Sequence, residues 1–190
     1  MRKVVLKMDV SLDGFVAKPN GDLDWIFGSF NDELKACLVD TLWQADTHIM
    51  GRVAYNDMAD HWSFSTEVFA PPMNEIPKVI FSKTLKEANW NRSRVVSGDI
   101  KEEVSRLKQQ PGNYILAHGG ARFAQSLSRF DLIDEYRLII HPVVLGKGQP
   151  LFKNLADMIN LKLLNTRVFH TGAVLHTYQP VRKGGSPQEN

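Results

Sequence analysis

The segment Tyr114-Ile115-Leu116-Ala117-His118-Gly119-Gly120-Ala121-Arg122-Phe123 predicts a strand that passes through a diglycine turn into a helix. Its first four residues are typical of a buried strand, and Phe123 and Leu127 share one face of the predicted helix. Two glycines allow backbone N–H groups to approach a phosphate closely, and the start of a helix adds partial positive charge. Two interpretations stay open for Gly119 and Gly120: a phosphate-binding turn, or a tight bend without a ligand.

Strands and helices alternate on both sides of this turn. Alternating apolar residues from Val4 to Val10 predict a first strand, and apolar residues at helical spacing predict a helix that Asn31 caps. The segment Ala70-Pro71-Pro72 is expected to be a connection, and Thr171-Gly172 a hairpin turn. Further strands are predicted at residues 48–50, 78–82, 94–97, 114–117, 135–141, 161–169 and 173–179, and further helices at 100–110 and 121–128.

This order of elements predicts an α/β fold. The central sheet is expected to be mixed and mostly parallel, with an antiparallel C-terminal hairpin and helices on both faces. The length of 190 residues favours one domain, which we place at residues 1–182, followed by a flexible tail at 183–190.

Composition excludes several classes of protein. Hydrophobic residues make up 43% of the chain and charged residues 23%, which is typical of a globular protein. The net charge of +2 comes without a basic stripe, so no nucleic-acid partner is predicted, and no apolar run is long enough for a membrane span. Cys37 is the single cysteine, which favours a reducing cytoplasm. The six histidines lack the spacing of a metal site, so no metal is predicted and they are interpreted as surface or strand residues.

Familiar catalytic and nucleotide-binding motifs are absent from the sequence. There is no G-x-G-x-x-G, and Leu145-Gly146-Lys147-Gly148 lacks the upstream glycine and the Ser or Thr of a P-loop. No G-x-S-x-G indicates a hydrolase. A phosphate site at the diglycine turn would therefore belong to neither the Rossmann nor the P-loop class.

Four segments together resemble the dihydrofolate reductase-like superfamily. The resemblance is strongest to the reductase domain of the bifunctional riboflavin-biosynthesis deaminase-reductase and its stand-alone relatives, and it spans nearly the full chain. The segments are Val10-Ser11-Leu12-Asp13-Gly14-Phe15-Val16-Ala17, Ile49-Met50-Gly51-Arg52-Val53-Ala54-Tyr55, His118-Gly119-Gly120-Ala121-Arg122-Phe123, and Leu132-Ile133-Asp134-Glu135-Tyr136 through Pro142-Val143-Val144-Leu145-Gly146.

The resemblance implies NADPH as the cofactor. Arg52 would bind phosphate oxygens, while Ser82 and Lys83 would contact the adenosine phosphate and favour NADPH over NADH. For Lys83, a solvated strand end is an equal alternative. The implied cofactor-binding residues are Val16, Ala17, Gly51, Arg52, Ser82, Lys83, Gly119, Gly120, Ala121, Arg122 and Phe123.

The resemblance also implies a loop, from Asp13 to Trp25, that closes over the nicotinamide on the substrate side. Dihydrofolate reductases place a pterin-binding carboxylate shortly after the loop tryptophan and a threonine on a later strand. This sequence has Phe30 and Ile140 at the aligned positions. Asp32 is the nearest acid and the weak catalytic candidate, although a charge in the first turn of a helix is its simpler interpretation.

Three functions are consistent with these residues. The first is an NADPH-dependent reductase of the 5-amino-6-(5-phosphoribosylamino)uracil type, the second is a pterin reductase, and the third is a nucleotide-binding sensor without turnover. A small molecule is the expected substrate. A homodimer is also predicted, because the C-terminal strands carry apolar residues on both faces. These residues are Leu161, Leu163, Leu164, Val168, Phe169, Val174 and Leu175.

Overall fold

The computed structural model describes residues 1–182 of the chain. The tail predicted at residues 183–190 lies outside the described residues, and the domain boundary at residue 182 stays a prediction. No helix within residues 1–182 is long and apolar enough to cross a membrane.

Eight strands form the central sheet. They are β1 Lys3–Ser11, β3 Ala45–Gly51, β4 Lys78–Phe81, β5 Ser93–Val96, β6 Tyr114–Ala117, β7 Glu135–His141, β9 Leu161–Val168 and β10 Val174–Pro180. Their order is β5-β4-β3-β6-β1-β7-β10-β9, and the first six are parallel. Strand β10 is antiparallel to both of its neighbours. The predicted mixed sheet with an antiparallel C-terminal hairpin is confirmed.

Helices cover both faces of the sheet, as predicted. They are α1 Asp32–Trp43, α2 Arg52–Trp62, α3 Ala70–Glu75, α4 Ile100–Gln109 and α5 Ala121–Arg129, with a 3-10 helix at Asp24–Ser29. Helices α4 and α5 pack with Val4 and Leu6 of β1 in one core cluster, whereas α1, α2 and α3 pack with Val5 in the other. Because side chains alternate along a strand, Lys7 and Asp9 share the α1–α3 face with Val5.

A second, two-stranded sheet lies beside the first and was not predicted. Strand β2 Phe15–Ala17 pairs with β8 Gln149–Pro150 in antiparallel orientation. A Cβ on Gly148 would overlap the carbonyl oxygen of Ala17, so only glycine permits this close pairing. The stretch from Asp13 to Trp25 is therefore partly strand, and it ends in the first residues of the 3-10 helix.

The prediction of a plain connection at Ala70-Pro71-Pro72 is wrong, because these residues begin helix α3. Proline is compatible with the first turn of a helix, where backbone N–H groups have no partner within the helix. The interpretation of the histidines as surface or strand residues holds for His48 and His141, which lie buried in β3 and β7, and is wrong for His118, which is buried just after β6.

Candidate functional site

The carboxyl ends of the central parallel strands define the candidate site. Strand β6 lies between β3 and β1, although it follows both in the sequence. The chain leaves β3 towards β4 and leaves β6 in the opposite direction, towards β7, and such switch points create a crevice at the carboxyl ends of parallel strands. Gly51 ends β3, and His118 and the diglycine turn follow β6 at this crevice.

The two glycines of the turn have different surroundings. A Cβ on Gly119 would lie 3.2 Å from Sδ of Met8, so the backbone approaches β1 closely there. A Cβ on Gly120 would meet no described heavy atom within 4 Å. The peptide bond between them is cis. Because no described atom lies near the Cβ position of Gly120, the backbone at the start of α5 is open, as a phosphate-binding turn requires.

Two of the longer helices begin at this crevice without a side-chain cap. Asn31 caps α1 and Asp99 caps α4 through side-chain oxygens. Helices α2 and α5 start after Gly51 and Gly120, and within residues 1–182 no side chain caps either of them. Because uncapped helix starts leave N–H groups free to bind anions, these two ends can bind phosphate groups.

Close packing connects the start of α2 with the start of α5. A Cβ on Gly51 would lie 3.2 Å from Cβ of Phe123, which shows how closely the end of β3 approaches α5. The ring of Phe123 also packs against Phe81 at the end of β4, with 5.2 Å between centroids. The carboxyl ends of β3 and β4 and the start of α5 therefore form one packed unit.

Basic side chains surround the same edge. Arg52, Lys83 and Arg122 are exposed, and none forms an ion pair with another residue in the described part of the chain. The hydroxyl oxygen of Ser82 accepts hydrogen bonds from the backbone N–H groups of Thr84 and Leu85 at 3.2 and 2.9 Å. Ser82 thus shapes the turn that carries Lys83, and its hydroxyl also lies 3.5 Å from the hydroxyl of Thr84.

A cavity of about 410 Å³ opens on the α1–α3 face, beside the diglycine turn. This volume suits a small-molecule ligand. The lining residues are Lys7, Asp9, Phe27, Phe30, Leu38, Thr41, Leu42, Met58, His61, Trp62, Glu67, Phe69, Met73, Leu116 and His118. His118 directly precedes Gly119, so one short segment contributes to both the cavity and the turn.

A chain of polar contacts forms part of the cavity floor. Lys7 Nζ donates to Asp9 Oδ2 at 2.6 Å, and Asp9 Oδ1 lies 2.9 Å from His141 Nε2. His141 Nδ1 lies 2.6 Å from the hydroxyl of Ser29. Burial raises the pKa of Asp9, but Lys7 and His141 outweigh burial and bring its pKa to about 2. Asp9 is therefore an ionised acceptor at neutral pH, which implies that His141 donates through Nε2.

His118 contributes a neutral imidazole to the cavity. Burial, aided by the charges of Lys7 and Lys78, lowers its pKa to about 3. Its Nε2 is buried and has no hydrogen-bond partner among residues 1–182. The ring packs edge-on against His48, with 4.6 Å between centroids. A buried polar atom without a partner is costly, and a bound ligand could supply the missing hydrogen bond.

The loop residues expected beside the nicotinamide are fixed by hydrogen bonds, burial and ring packing. Asp13 accepts hydrogen bonds from the backbone of Leu145 and Gly146 at 3.1 and 2.7 Å. Val16 and Ala17 are buried in β2 and do not line the cavity. Trp25 packs edge-on against His141, with 5.4 Å between ring centroids. The loop is therefore connected to the polar chain at Asp9 through His141.

Asp32, the catalytic candidate from the sequence, is not part of the cavity. Its side chain is fully exposed in the first turn of α1 and pairs with Lys35 at 3.4 Å. Phe30 does line the cavity, at the position aligned with a pterin-binding carboxylate. On its sheet side the cavity contains a different acid, Asp9 of β1.

Sequence reasoning missed Lys7 and Asp9 as site residues. Both occupy the polar positions of the alternating pattern in β1, where side chains of an exposed face would also fall. Their low exposure, 21% for the Lys7 side chain and 16% for Asp9, comes from helices that cover this face. The available signal was two charged residues within a strand whose alternate positions are apolar.

Comparison with known proteins places this geometry in a described class. The protein is similar in structure to a candidate riboflavin biosynthesis protein of Shewanella sp. PV-4, with a TM-score of 0.80 at 23% identity, over 95% of this chain and 99% of that one. The diaminohydroxyphosphoribosylaminopyrimidine deaminase/5-amino-6-(5-phosphoribosylamino)uracil reductase of Thermotoga maritima gives a TM-score of 0.70 at 16% identity, over 95% of this chain and 57% of that one. The fold is the dihydrofolate reductase-like fold of riboflavin-biosynthesis reductases.

Sequence comparison identifies the family. The family model of the RibD C-terminal domain matches residues 2–175. The uncharacterized protein YyaP of Bacillus subtilis (strain 168) is 36% identical over 93% of this chain and 94% of its own length. The uncharacterized protein YwjB of the same organism is 33% identical over 92% of this chain and 97% of its own length. The chain belongs to the RibD C-terminal domain family.

Proposed function

We propose that this protein is an NADPH-dependent reductase that acts on a heterocyclic small molecule held in the 410 Å³ cavity. The observation that carries the proposal is the adjacency of two features. Helices α2 and α5 begin uncapped at the crevice, and His118 connects the diglycine turn at α5 to the cavity. This arrangement suits an anionic cofactor bound next to its reaction partner.

The residues at the crevice fit a dinucleotide phosphate. Free N–H groups at the starts of α2 and α5 suit the pyrophosphate, and open space above Gly120 leaves room for it. Arg52 and Arg122 would neutralise its charge, and Lys83 with Ser82 would bind the additional phosphate that distinguishes NADPH from NADH. Val16 and Ala17 would border the nicotinamide side through the backbone of β2.

The cavity residues supply proton handling and orientation. NADPH, when bound, supplies a hydride. Lys7 is the candidate acid, since its ammonium group lines the cavity and can donate a proton to a substrate oxygen or nitrogen. Asp9 holds Lys7 in place at 2.6 Å, and His141 and Ser29 fix Asp9 from the other side. Neutral His118 can orient the substrate with one ring nitrogen.

Three functional hypotheses can be distinguished by experiment. In the first hypothesis, which the family suggests, the substrate is a riboflavin-pathway aminouracil such as 5-amino-6-(5-phosphoribosylamino)uracil. A pterin is disfavoured by Phe30 in the cavity, where a carboxylate would be needed. In the third hypothesis the protein binds the nucleotide and performs no turnover, as a sensor would.

The test measures NADPH binding by calorimetry and NADPH oxidation by absorbance with aminouracil and pterin substrates. Micromolar binding of NADPH with oxidation on an aminouracil supports the proposal. Binding without oxidation on any substrate supports the sensor, and absence of NADPH binding contradicts both.

A further inference from the structure

Aromatic side chains form one continuous wall of the cavity. Phe30 lies 6.5 Å from Phe27 and 6.0 Å from Phe69, measured between ring centroids. Trp62 continues the wall at 5.8 Å from Phe69. These rings meet edge-on or tilted, and together they offer a large apolar surface against which a planar ligand can pack. The wall therefore suits a planar ring system with few polar substituents.

The charges around the cavity do not favour a phosphate group. Lys7 is paired with Asp9, and His61 is paired with Glu67 at 3.2 Å. The described residues that line the cavity include no arginine and no other lysine. Apart from the two histidines, the ionisable side chains of the lining are the carboxylates of Asp9 and Glu67 and the ammonium group of Lys7. A phosphate dianion in this cavity would meet two carboxylates and a single ammonium group that is already paired with Asp9.

The helix ends near the cavity point to the same conclusion. The C-terminal turn of α2 contributes His61 and Trp62, and that end of a helix carries partial negative charge. The start of α1 is capped by Asn31 and carries Asp32 and Glu33. Helix α3 also begins at the cavity, with no side-chain cap among the described residues, but Pro71 and Pro72 in its first turn have no N–H to offer a phosphate. The longer uncapped helix starts are those of α2 and α5 at the crevice.

The polar groups of the floor instead suit an uncharged heterocycle. Asp9 can accept an N–H hydrogen bond, Lys7 can donate to a carbonyl oxygen, and His118 has a buried nitrogen without a partner among residues 1–182. Ring carbonyl and N–H groups lie in the plane of a heterocycle and match such a narrow set of donors and acceptors.

We infer that the substrate is an unphosphorylated, planar heterocycle without net negative charge, and that the cavity selects against a phosphorylated sugar. This inference rests on the proposed reductase function and narrows its substrate class. It separates the chain from the phosphoribosyl substrate named for the Thermotoga maritima protein.

The test uses a matched pair of probes, a ribosylaminouracil and its 5′-phosphate, with the full chain. Calorimetric titration without cofactor is expected to give at least tenfold tighter binding of the unphosphorylated probe. Equal or tighter binding of the phosphate would overturn the inference. The inference would also be overturned if the unphosphorylated ribosylaminouracil, an unsubstituted pterin and an aminouracil base all failed to bind.

A charge variant tests the physical cause. Glu67→Lys exchanges a carboxylate at the cavity for an ammonium group and is expected to tighten binding of the phosphorylated probe about fivefold or more. Glu87→Lys makes the same charge change on an exposed loop residue that does not line the cavity, and it serves as the control. Equal effects of the two variants would show that the cavity charge does not select the substrate.

Turnover distinguishes this inference from the proposed function. If NADPH oxidation has a higher kcat/KM with the phosphorylated probe than with the unphosphorylated one, the reductase function stands and the proposed selection against phosphate is overturned. Tight binding of the unphosphorylated probe without any NADPH oxidation would overturn the reductase, and the selectivity would then describe a binding site.

Discussion

The two oxygens of the Asp9 carboxylate bind different partners on opposite sides: Oδ2 accepts from Lys7 Nζ at 2.6 Å, and Oδ1 lies 2.9 Å from His141 Nε2. Lys7 faces the cavity, whereas His141 contacts Ser29 and Trp25 of the loop region. The carboxylate therefore couples the position of the candidate acid to the segment that borders the site.

Asp9 should make stability depend on pH in the acid range. Its pKa is lowered from 3.8 to about 2, so its contribution is full above pH 4 and is lost as the pH falls toward 2. We expect Asp9→Asn to lose stability at pH 6 and to show a weaker pH dependence between pH 4 and 2. Urea denaturation across this range measures both effects. Asp32→Asn, at a fully exposed carboxyl, is the control, and identical pH profiles of wild type and Asp9→Asn would refute the prediction.

Lys7 should matter for turnover more than for cofactor binding. Lys7→Met removes the ammonium group but keeps most of the apolar stem, so we expect kcat to fall by about 10² or more while the Kd for NADPH changes less than threefold. Steady-state kinetics and calorimetry measure the two quantities. Lys3→Met removes an exposed lysine from the same strand and should leave kcat unchanged. Wild-type kcat in Lys7→Met would exclude Lys7 as the acid.

Gly120 should be required for the cofactor and dispensable for the fold. A Cβ there meets no described atom within 4 Å, so Gly120→Ala should leave the Tm nearly unchanged. The same methyl group would occupy space needed by a phosphate, and we expect the Kd for NADPH to rise about tenfold or more. Calorimetric titration and thermal denaturation provide the readouts. Undiminished NADPH binding in a folded Gly120→Ala would place the cofactor elsewhere.

Lys83 should discriminate NADPH from NADH. If its ammonium group contacts the additional phosphate, Lys83→Ala weakens NADPH binding by about tenfold, which is the scale of one charge-assisted hydrogen bond. Binding of NADH should stay the same. Lys86→Ala, at another exposed lysine of the same loop, is the matched control. Equal losses of affinity for NADPH and NADH would indicate a general electrostatic role for Lys83. Unchanged affinity for both would show that Lys83 is a solvated residue that does not contact the cofactor.

A homodimer through β9 remains a prediction with a direct test. Leu163, Leu164 and Val168 on this edge strand are 51%, 46% and 67% exposed, whereas Phe169 is buried within the chain. We expect light scattering to give a mass near twice 21.5 kDa and Val168→Asp to shift it toward the monomer. Phe64→Asp changes an exposed apolar residue outside the strand and should not. A wild-type mass near 21.5 kDa would contradict the dimer.

Local patterns were sufficient to predict most of the fold. Apolar alternation identified β1, the spacing after Asn31 identified α1 with its cap, and β7 was predicted with its observed limits. Helix α3 and the pairing of β2 with β8 escaped prediction for physical reasons. Prolines in a first helical turn look like a loop in sequence, and a strand of three residues is stabilised by a distant partner.

The order of the elements, the diglycine turn between β6 and α5, and the family resemblance of the four segments all follow from the amino-acid sequence. These features depend on residues close together in the chain, where propensity and spacing act directly. Which side chains form the cavity depends instead on the tertiary structure. Asp9 and His141 are 132 positions apart, and they meet because β1 and β7 pair in parallel with Ser11 opposite His141. Helices packed over that face then bury the polar residues of β1, so burial and the pKa of Asp9 follow from packing that no local pattern contains.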